Sequence, residues 1–287
     1  METTHSFVSS SMKTLILTIC TCFLATMAYC QHYYNDLVVT RENMKKQGLY
    51  RTQGVKSVRF SSFDTNNQPI DGFKCEQVVK NNATEITTTT TDPLSGTTEN
   101  TSYFNSFGQL TKSIDTTDGS KTVMTYGYDA NSRISIITST AISAGGYTSK
   151  EQHFWSYDAA GKPLRMLKVK NDSDTTTITF VADEQGNPGE EKSIHKGQIQ
   201  PSYYYYYDNN RITDIVRYNT RAKRLLPDYV FEYDAKGRVA TMMVVAEGTG
   251  DYQKWYYIYD EKGLKAKDEC FSKTKVLIGK IVYQYQF

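Results

Sequence analysis

A short motif, Tyr-Asp-x-x-Gly, recurs along most of this chain and limits what the chain can fold into. Tyr128-Asp129, Tyr157-Asp158, Tyr207-Asp208, Tyr233-Asp234 and Tyr259-Asp260 each close an aromatic-rich run. Degenerate copies stand at Phe63-Asp64, Phe104-Asn105 and Ala182-Asp183, which makes about eight in all. The aspartates at 129, 158, 183, 208, 234 and 260 are spaced by 29, 25, 25, 26 and 26 residues. A period of that size marks stacked supersecondary units that bury one another's faces. Asn105 lies 24 residues before Asp129, but Asp64 lies 41 before Asn105, so the first part is irregular or carries an insertion.

Each copy carries the chemistry of a turn. In Asp158-Ala159-Ala160-Gly161 and Asp234-Ala235-Lys236-Gly237, the Asp side chain can accept backbone N–H bonds and the Gly can take positive φ. That combination is a type I turn with a glycine bulge, which closes a β-hairpin. Gly108, Gly186 and Gly263 occupy the same slot, as do Asn67 and Ser132. Asp208-Asn209-Asn210-Arg211 is one residue shorter and predicts a tighter turn.

Before each turn lies an alternating strand. Its −1, −3 and −5 positions share a face: Tyr128, Tyr126 and Met124; Tyr157, Trp155 and His153; Tyr207, Tyr205 and Tyr203; Tyr233, Phe231 and Tyr229; Tyr259, Tyr257 and Trp255. One face therefore carries aromatic ladders, in a chain with 23 tyrosines, and tyrosine favours a half-buried pleated surface. After each turn a basic residue opens a second strand, as in Arg133-Ile134 and Arg238-Val239. The loops at the far end, Asn171 to Thr176, Arg221 to Pro227 and Glu247 to Asp251, vary more. The expected fold is all-β: an elongated, twisted antiparallel sheet of consecutive hairpins over residues 55–287, able to curl into a partial barrel. Asn35-Asp36 and the run from Leu37 to Gly48 predict one helix with a polar cap and a Gly stop, inside a cap segment 31–54. Such a cap would cover an exposed sheet edge.

Residues 1–30 read as a secretory signal peptide. A basic start at Met12-Lys13 precedes an uncharged run, Leu15 to Met27, and small residues at Ala28 and Cys30 flank a cleavage point. Met12 is an alternative start, and cleavage after Ala28 or Cys30 is chemically reasonable. Tyr29 is too bulky for a lipoprotein signal at Cys30. The apolar run is short of the roughly 20 residues of a membrane span, and no other stretch approaches that length. Export leaves Cys75 and Cys270 in a compartment that permits disulfides. A bond between them would join the two ends of the array; two separate thiols are the plainer expectation. A net charge of +2 without basic blocks removes the usual footprint of a nucleic-acid binder.

The pattern aromatic-x-Tyr-Asp-x-x-Gly-Arg-hydrophobic resembles the YD repeat of the RHS family. Tyr233-Asp234-Ala235-Lys236-Gly237-Arg238-Val239 carries the likeness most fully, and Tyr157 to Lys162 nearly so. The resemblance covers residues 100–287 and, more weakly, 55–100. Large members coil their repeats into a shell around a toxin, and this chain has too few copies to close one. The resemblance implies a fold, an exported setting and interaction roles, not toxin activity.

No catalytic constellation is visible. Of the four histidines, only His32, His153 and His195 follow the signal, and His153 sits at a ladder position. There is no G-x-S-x-G, H-E-x-x-H or phosphate-binding glycine loop. Glu190-Glu191 reads as solvated loop charge. Asp172-Ser173-Asp174 and Asp64 to Gln68 lack the spaced ligands of a calcium loop, and no cofactor or metal is expected. The five-tyrosine run Tyr203 to Tyr207 sends Tyr204 and Tyr206 opposite to Tyr203 and Tyr205, so Tyr203 to Tyr206 are the candidate ligand contacts. The sequence leads to a non-enzymatic binding or scaffold protein with a glycan or protein partner. It would lie in the periplasm, at the surface or outside a Gram-negative cell. The alternatives are an enzyme whose site is assembled from distant residues, and an outer-membrane barrel. Ile281, Tyr283, Tyr285 and Phe287 suit the barrel reading, while charges on both strand faces oppose it.

Overall fold

The computed structural model describes residues 32–246 and 250–287. The predicted signal segment lies outside the described residues, as do positions 247–249 of one far-end loop. One helix, α1 (Asn35–Gln53), precedes an all-antiparallel sheet that runs from the strand Ser57–Phe63 to the strand Leu277–Gln286.

The sheet is closed. The first strand pairs with the last, Ser57 facing Gln286 and Phe63 facing Lys280, and with its sequence neighbour, Phe60 facing Cys75. Every other strand pairs on both sides, except the two-residue stub Gln198–Ile199. The result is a barrel of 18 strands. The expected elongated open sheet is therefore corrected: consecutive hairpins with cumulative right-handed twist bring the two edges together, and pairing them removes two rows of unsatisfied N–H and C=O groups.

The turn chemistry is as the motif dictates. Asp129, Asp158, Asp183, Asp234 and Asp260 each accept, through Oδ1, the backbone N–H four residues on. Gly161, Gly237 and Gly263 adopt φ of 79°, 76° and 82°, and the register slips by one at the preceding tyrosine. Asp208 faces Arg211 directly across Asn209 and Asn210, both at positive φ, the tight turn expected there.

The motif tyrosine has a second task. The hydroxyls of Tyr157, Tyr233 and Tyr259 donate to the carbonyls of Ile134, Ile212 and Val239, one repeat back, at 2.7, 2.7 and 2.9 Å. The basic residue after each earlier turn lies over the same ring: Arg133 over Tyr157, Arg211 over Tyr233 and Arg238 over Tyr259, at 4.6, 4.9 and 4.2 Å. These three repeats are thus each fastened to a predecessor by one hydrogen bond and one cation–ring contact, while Tyr128 and Tyr207 make the hydrogen bond alone, to Leu110 and Pro188.

Alternate strands run toward the same rim, so the turns at Asn105, Asp129, Asp158, Asp183, Asp208, Asp234 and Asp260 share one mouth of the barrel. The turn at Asp64 is at the other, because the first strand is antiparallel to the last. This explains the 41-residue gap: three strands (Lys74–Lys80, Glu85–Asp92, Gly96–Phe104) separate Asp64 from Asn105, where two separate the later turns.

Helix α1 lies inside this barrel. It continues through Gly48 and stops at Gly54, whose φ is 67°, and this corrects the predicted stop. Gly48 costs helix propensity, but the turns beyond it carry Tyr50, which is buried against Val58, Ile86, Phe104 and Leu264. The helix also caps no sheet edge, since none is left. Its C-terminal half reaches the turn rim, where Gln47 Nε2 donates to Ala83 O at 3.1 Å. Its N-terminal end meets the opposite wall, where Tyr34 packs with Trp155, Phe180 and Tyr205. The aromatic ladder predicted for the −1, −3 and −5 positions is the lumen face of the barrel.

Candidate functional site

The site is the lumen, and its anchor is the start of α1. A helix N-terminus leaves backbone N–H groups without partners and carries partial positive charge. The barrel wall answers both through Glu191, which is 2% exposed. Its carboxylate accepts the N–H groups of Tyr33 and Tyr34, each at 2.9 Å, and the hydroxyl of Tyr205 at 2.7 Å. Burial pushes the Glu191 carboxyl up to about 7 against the pull of those donors.

A second tie runs from Asp36, in the first turn of α1, to His153 on the wall. Asp36 Oδ2 lies 2.6 Å from His153 Nδ1, and Glu151 Oε1 lies 2.9 Å from Nε2. Burial opposes a charge on the imidazole, but the two carboxylates outweigh it and raise His153 to about 9. The same burial opposes ionisation of Glu151, yet His153 and Lys168 hold it down at about 2. Lys168 also lies over the ring of Tyr33. The imidazole is thus a cation at neutral pH, used as a pin.

Beyond the helix the inner face changes character. Facing residues share a face, so the pairing that puts Tyr126 opposite Ile137 also puts Met124 opposite Ser139 inward. The same reasoning places Asn100 opposite Asp115, and Ser102 opposite Ser113, on the inner wall. These small polar side chains are partly exposed although they face inward. One mouth is therefore occupied by the helix and its aromatic collar. The other opens on a polar vestibule.

The outer wall is polar near the seam and mixed elsewhere, where Phe154, Ile194, Tyr206, Tyr256 and Ile258 are exposed. Gln284, Arg59 and Glu76 face one another across three strands, and Thr89, Glu99 and Thr116 continue the row. Lys267 pairs with Glu269 and Lys254 with Glu232, all on outward positions.

Of the residues singled out from the sequence, His153 and His195 both sit beside carboxylates, His195 Nε2 at 2.9 Å from Asp174 Oδ1. They belong to different places, and each is hydrogen-bonded to a carboxylate. The reading of Glu190-Glu191 as solvated charge is corrected for Glu191; Glu190 points outward and pairs with Lys192. The strand alternation of the tyrosine run divides the four candidate ligand contacts. Tyr203 and Tyr205 are buried in the lumen wall, whereas Tyr206 is 49% exposed outside, with the half-buried Tyr204 on the same face. Cys75 and Cys270 are buried and not joined; Thr90 donates to the Cys75 sulfur and Cys270 lies 3.8 Å from Gln253 Oε1. The repeat-turn residues hold the rim, where Asp260 also borders an open recess with Lys262, Tyr285 and Phe287. Among the described residues, no group of three or more His, Cys, Asp or Glu is placed to hold a metal ion, and no helix is long and apolar enough to cross a membrane. Asp36 and Glu191 are the anchor residues that the sequence reading did not find.

No protein-family model matches the chain, and no curated protein matches it. Among solved structures, a porin-like protein from Bacteroides uniformis is 10% identical with a TM-score of 0.42, over 81% of this chain and 96% of that one. A porin-like protein from Bacteroides vulgatus is 14% identical with a TM-score of 0.29, over 81% and 98%. A Tc holotoxin pore chain of Photorhabdus luminescens is 13% identical with a TM-score of 0.33, over 77% of this chain and 13% of that one. This chain thus spans about an eighth of the toxin chain's length. None of these likenesses bears on activity.

Proposed function

We propose that this chain is an exported, non-enzymatic binding module of the bacterial envelope whose ligand enters the vestibule at the unplugged mouth. The observation that carries the reading is the distribution of polarity. The outer wall carries charged pairs and hydroxyl side chains at mid-height, interspersed with exposed apolar residues such as Phe154, Tyr206 and Ile258, while the ladder aromatics of the repeats face inward around a seated helix. A membrane barrel needs the reverse, an apolar outer band about 25 Å tall, and charged side chains on a lipid face at mid-depth cost roughly 2–4 kcal/mol each. A channel also needs a clear lumen, and α1 is fixed across this one at both ends.

His153 is poorly suited to act as a general base. A general base must be unprotonated near neutral pH, and His153 is held as a cation between two carboxylates. The leader-like start of the sequence supports export.

The test is partition and conductance with purified residues 31–287. The proposal expects a folded protein in buffer without detergent, no insertion into liposomes, and no conductance in planar bilayers. Stable channel currents, or recovery only in detergent, would replace it with the outer-membrane barrel.

A further inference from the structure

We propose that the wall of the barrel carries a docking edge for an acidic, extended peptide, at the unplugged mouth between the stub Gln198–Ile199 and the turn that ends at Arg224. This surface is separate from the vestibule, and the lumen reading stands or falls without it.

Closure of the barrel leaves one break in the pairing. The strand Tyr203–Asp208 runs beside Arg211–Asn219 until Tyr203 faces Arg217. Past that point the two arms share no pairing. One arm is the segment 198–202, and the other is Tyr218 and Asn219 before their turn. Gln198 and Ile199 pair on one side only, with His195 and Ile194. The Gln200 N–H donates to the Ser193 carbonyl at 2.9 Å. Hydrogen-bonded and non-hydrogen-bonded pairs alternate along an antiparallel ladder, so the N–H and C=O of Ile199 turn the other way, to the open side. An unpaired edge of this kind is a template for an added strand.

The side chains beside the break are apolar. Glu191 faces the lumen, so alternation turns Ile194 outward, and its partner Ile199 with it. Tyr203 and Arg217 share the lumen face, which turns Tyr218 and its partner Leu225 outward. All four are exposed, Ile199 by 77% and Tyr218 by 52%. An added strand would lay every second side chain on this strip.

Charge selects the partner. Arg221, Lys223 and Arg224 crown the adjoining turn, all exposed and without an ion pair among the described residues. The acids on the neighbouring strands are taken: Asp174 by His195 and Lys196, Glu190 by Lys192, and Asp228 by Arg217. The unpaired cations attract an acidic segment and repel the same edge of a second copy. Pro201 has no N–H to offer, so backbone pairing centres on Ile199, and the apolar strip and the cations supply the rest of the recognition.

Ile199→Pro is the direct test. It removes the N–H on the open side and no hydrogen bond of the hairpin, a position where an edge tolerates proline. A displayed library of random nonapeptides is panned on the immobilised protein, and enriched peptides are synthesised and titrated by calorimetry. The expected peptides alternate apolar residues with Asp or Glu, and added salt weakens them. Binding should fall at least tenfold in Ile199→Pro and in the double variant Arg221→Glu, Lys223→Glu, with unchanged melting profiles. Should Ile199→Pro not fold, N-methylation of alternate peptide backbone nitrogens, which should abolish binding to the wild type, asks the same question. No enrichment, enrichment of basic sequences, or equal binding to Ile199→Pro or by the N-methylated peptides overturns the proposal. Self-association in sedimentation velocity that vanishes in Ile199→Pro gives the edge to a second copy and overturns it as well.

Discussion

Replacing His153 with Gln tests whether the helix is pinned electrostatically. In the folded protein the imidazole is held between Asp36 and Glu151 with its pKa raised from 6.5 to about 9. That rise corresponds to roughly 3 kcal/mol of differential stabilisation at most. The side chains of His153, Asp36 and Glu151 are 12%, 11% and 24% exposed, so solvent removes little of it, and about 2–3 kcal/mol is a fair expectation. The depressed pKa of Glu151 reports the same contact from the other partner and is not added.

The sign follows from linkage. A base whose folded pKa is raised contributes its full stabilisation below the unfolded value and loses it as pH rises through the folded one. The contribution of His153 is therefore complete below pH 6.5 and disappears around pH 9. The assay is urea unfolding, followed by circular dichroism, of wild type and His153→Gln at pH 6, 7.5, 9 and 10. The variant should be less stable by about 2–3 kcal/mol at pH 6, and the gap should close by pH 10. Limited trypsinolysis at pH 7 should cut α1 sooner in the variant, since Arg41 and Lys45 lie on it. A gap below about 0.5 kcal/mol, the level of an ordinary surface substitution, would refute the pin. A gap independent of pH would assign His153 to packing alone.

Other consequences are simpler to state. Glu191→Gln keeps an acceptor for the N–H groups of Tyr33 and Tyr34 but removes a carboxyl held at about 7. Because that pKa is raised, its stabilising share is lost as pH rises through 7, so the variant should lose less stability than wild type between pH 6 and 8 in the same urea series. Gly237→Ala and Gly186→Ala both place a Cβ at positive φ, but only at Gly237 would it stand 2.8 Å from Arg211 Nη1. Thermal melts should show about 1 kcal/mol lost at each, with Gly237→Ala adding only the cost of moving the flexible end of Arg211 off the Tyr233 ring. Tyr157→Phe and Tyr259→Phe each remove one inter-repeat hydrogen bond, at a cost of about 1 kcal/mol, and the double variant should be additive because the sites are separate. The Cys270 thiol is pushed up to about 12 by burial, so it should resist a disulfide-exchange reagent in the folded protein and react on unfolding.

Much of the wall was legible because its determinants are local. Asp158 and Gly161 lie within one turn, and Tyr203 to Tyr207 declare their alternation by strand geometry alone. Closure is of another kind. It depends on Phe60 meeting Tyr283 and Val58 meeting Tyr285, pairs more than 220 residues apart whose own surroundings give no sign of one another. The helix end was misplaced because Gly48 is a local stop signal, whereas the packing of Tyr50 on the wall is not local. Glu191 was hidden by its neighbour: Glu190-Glu191 looks like solvated charge until strand parity is counted back from Phe180, which puts Glu191 on the aromatic face. Asp36 looked like a cap and serves as a tether, because its partner His153 lies 117 residues away.

The helix and the barrel also fit one another in size. Eighteen strands about 4.8 Å apart and tilted by about 40° would make a circular cylinder roughly 35 Å across. A helix of 19 residues is about 28 Å long. With a layer of side chains at each end, that length spans the mouth from the Glu191 wall to the Tyr285 wall. Hairpin repeats have no intrinsic stopping number, since each unit contacts only its neighbours. In this chain the helix is seated against the wall along its length, with Tyr34 and Asp36 on one side, Met44 beside Tyr128, and Tyr50 and Gln47 at the far end, while the edges that meet are the first strand and the last.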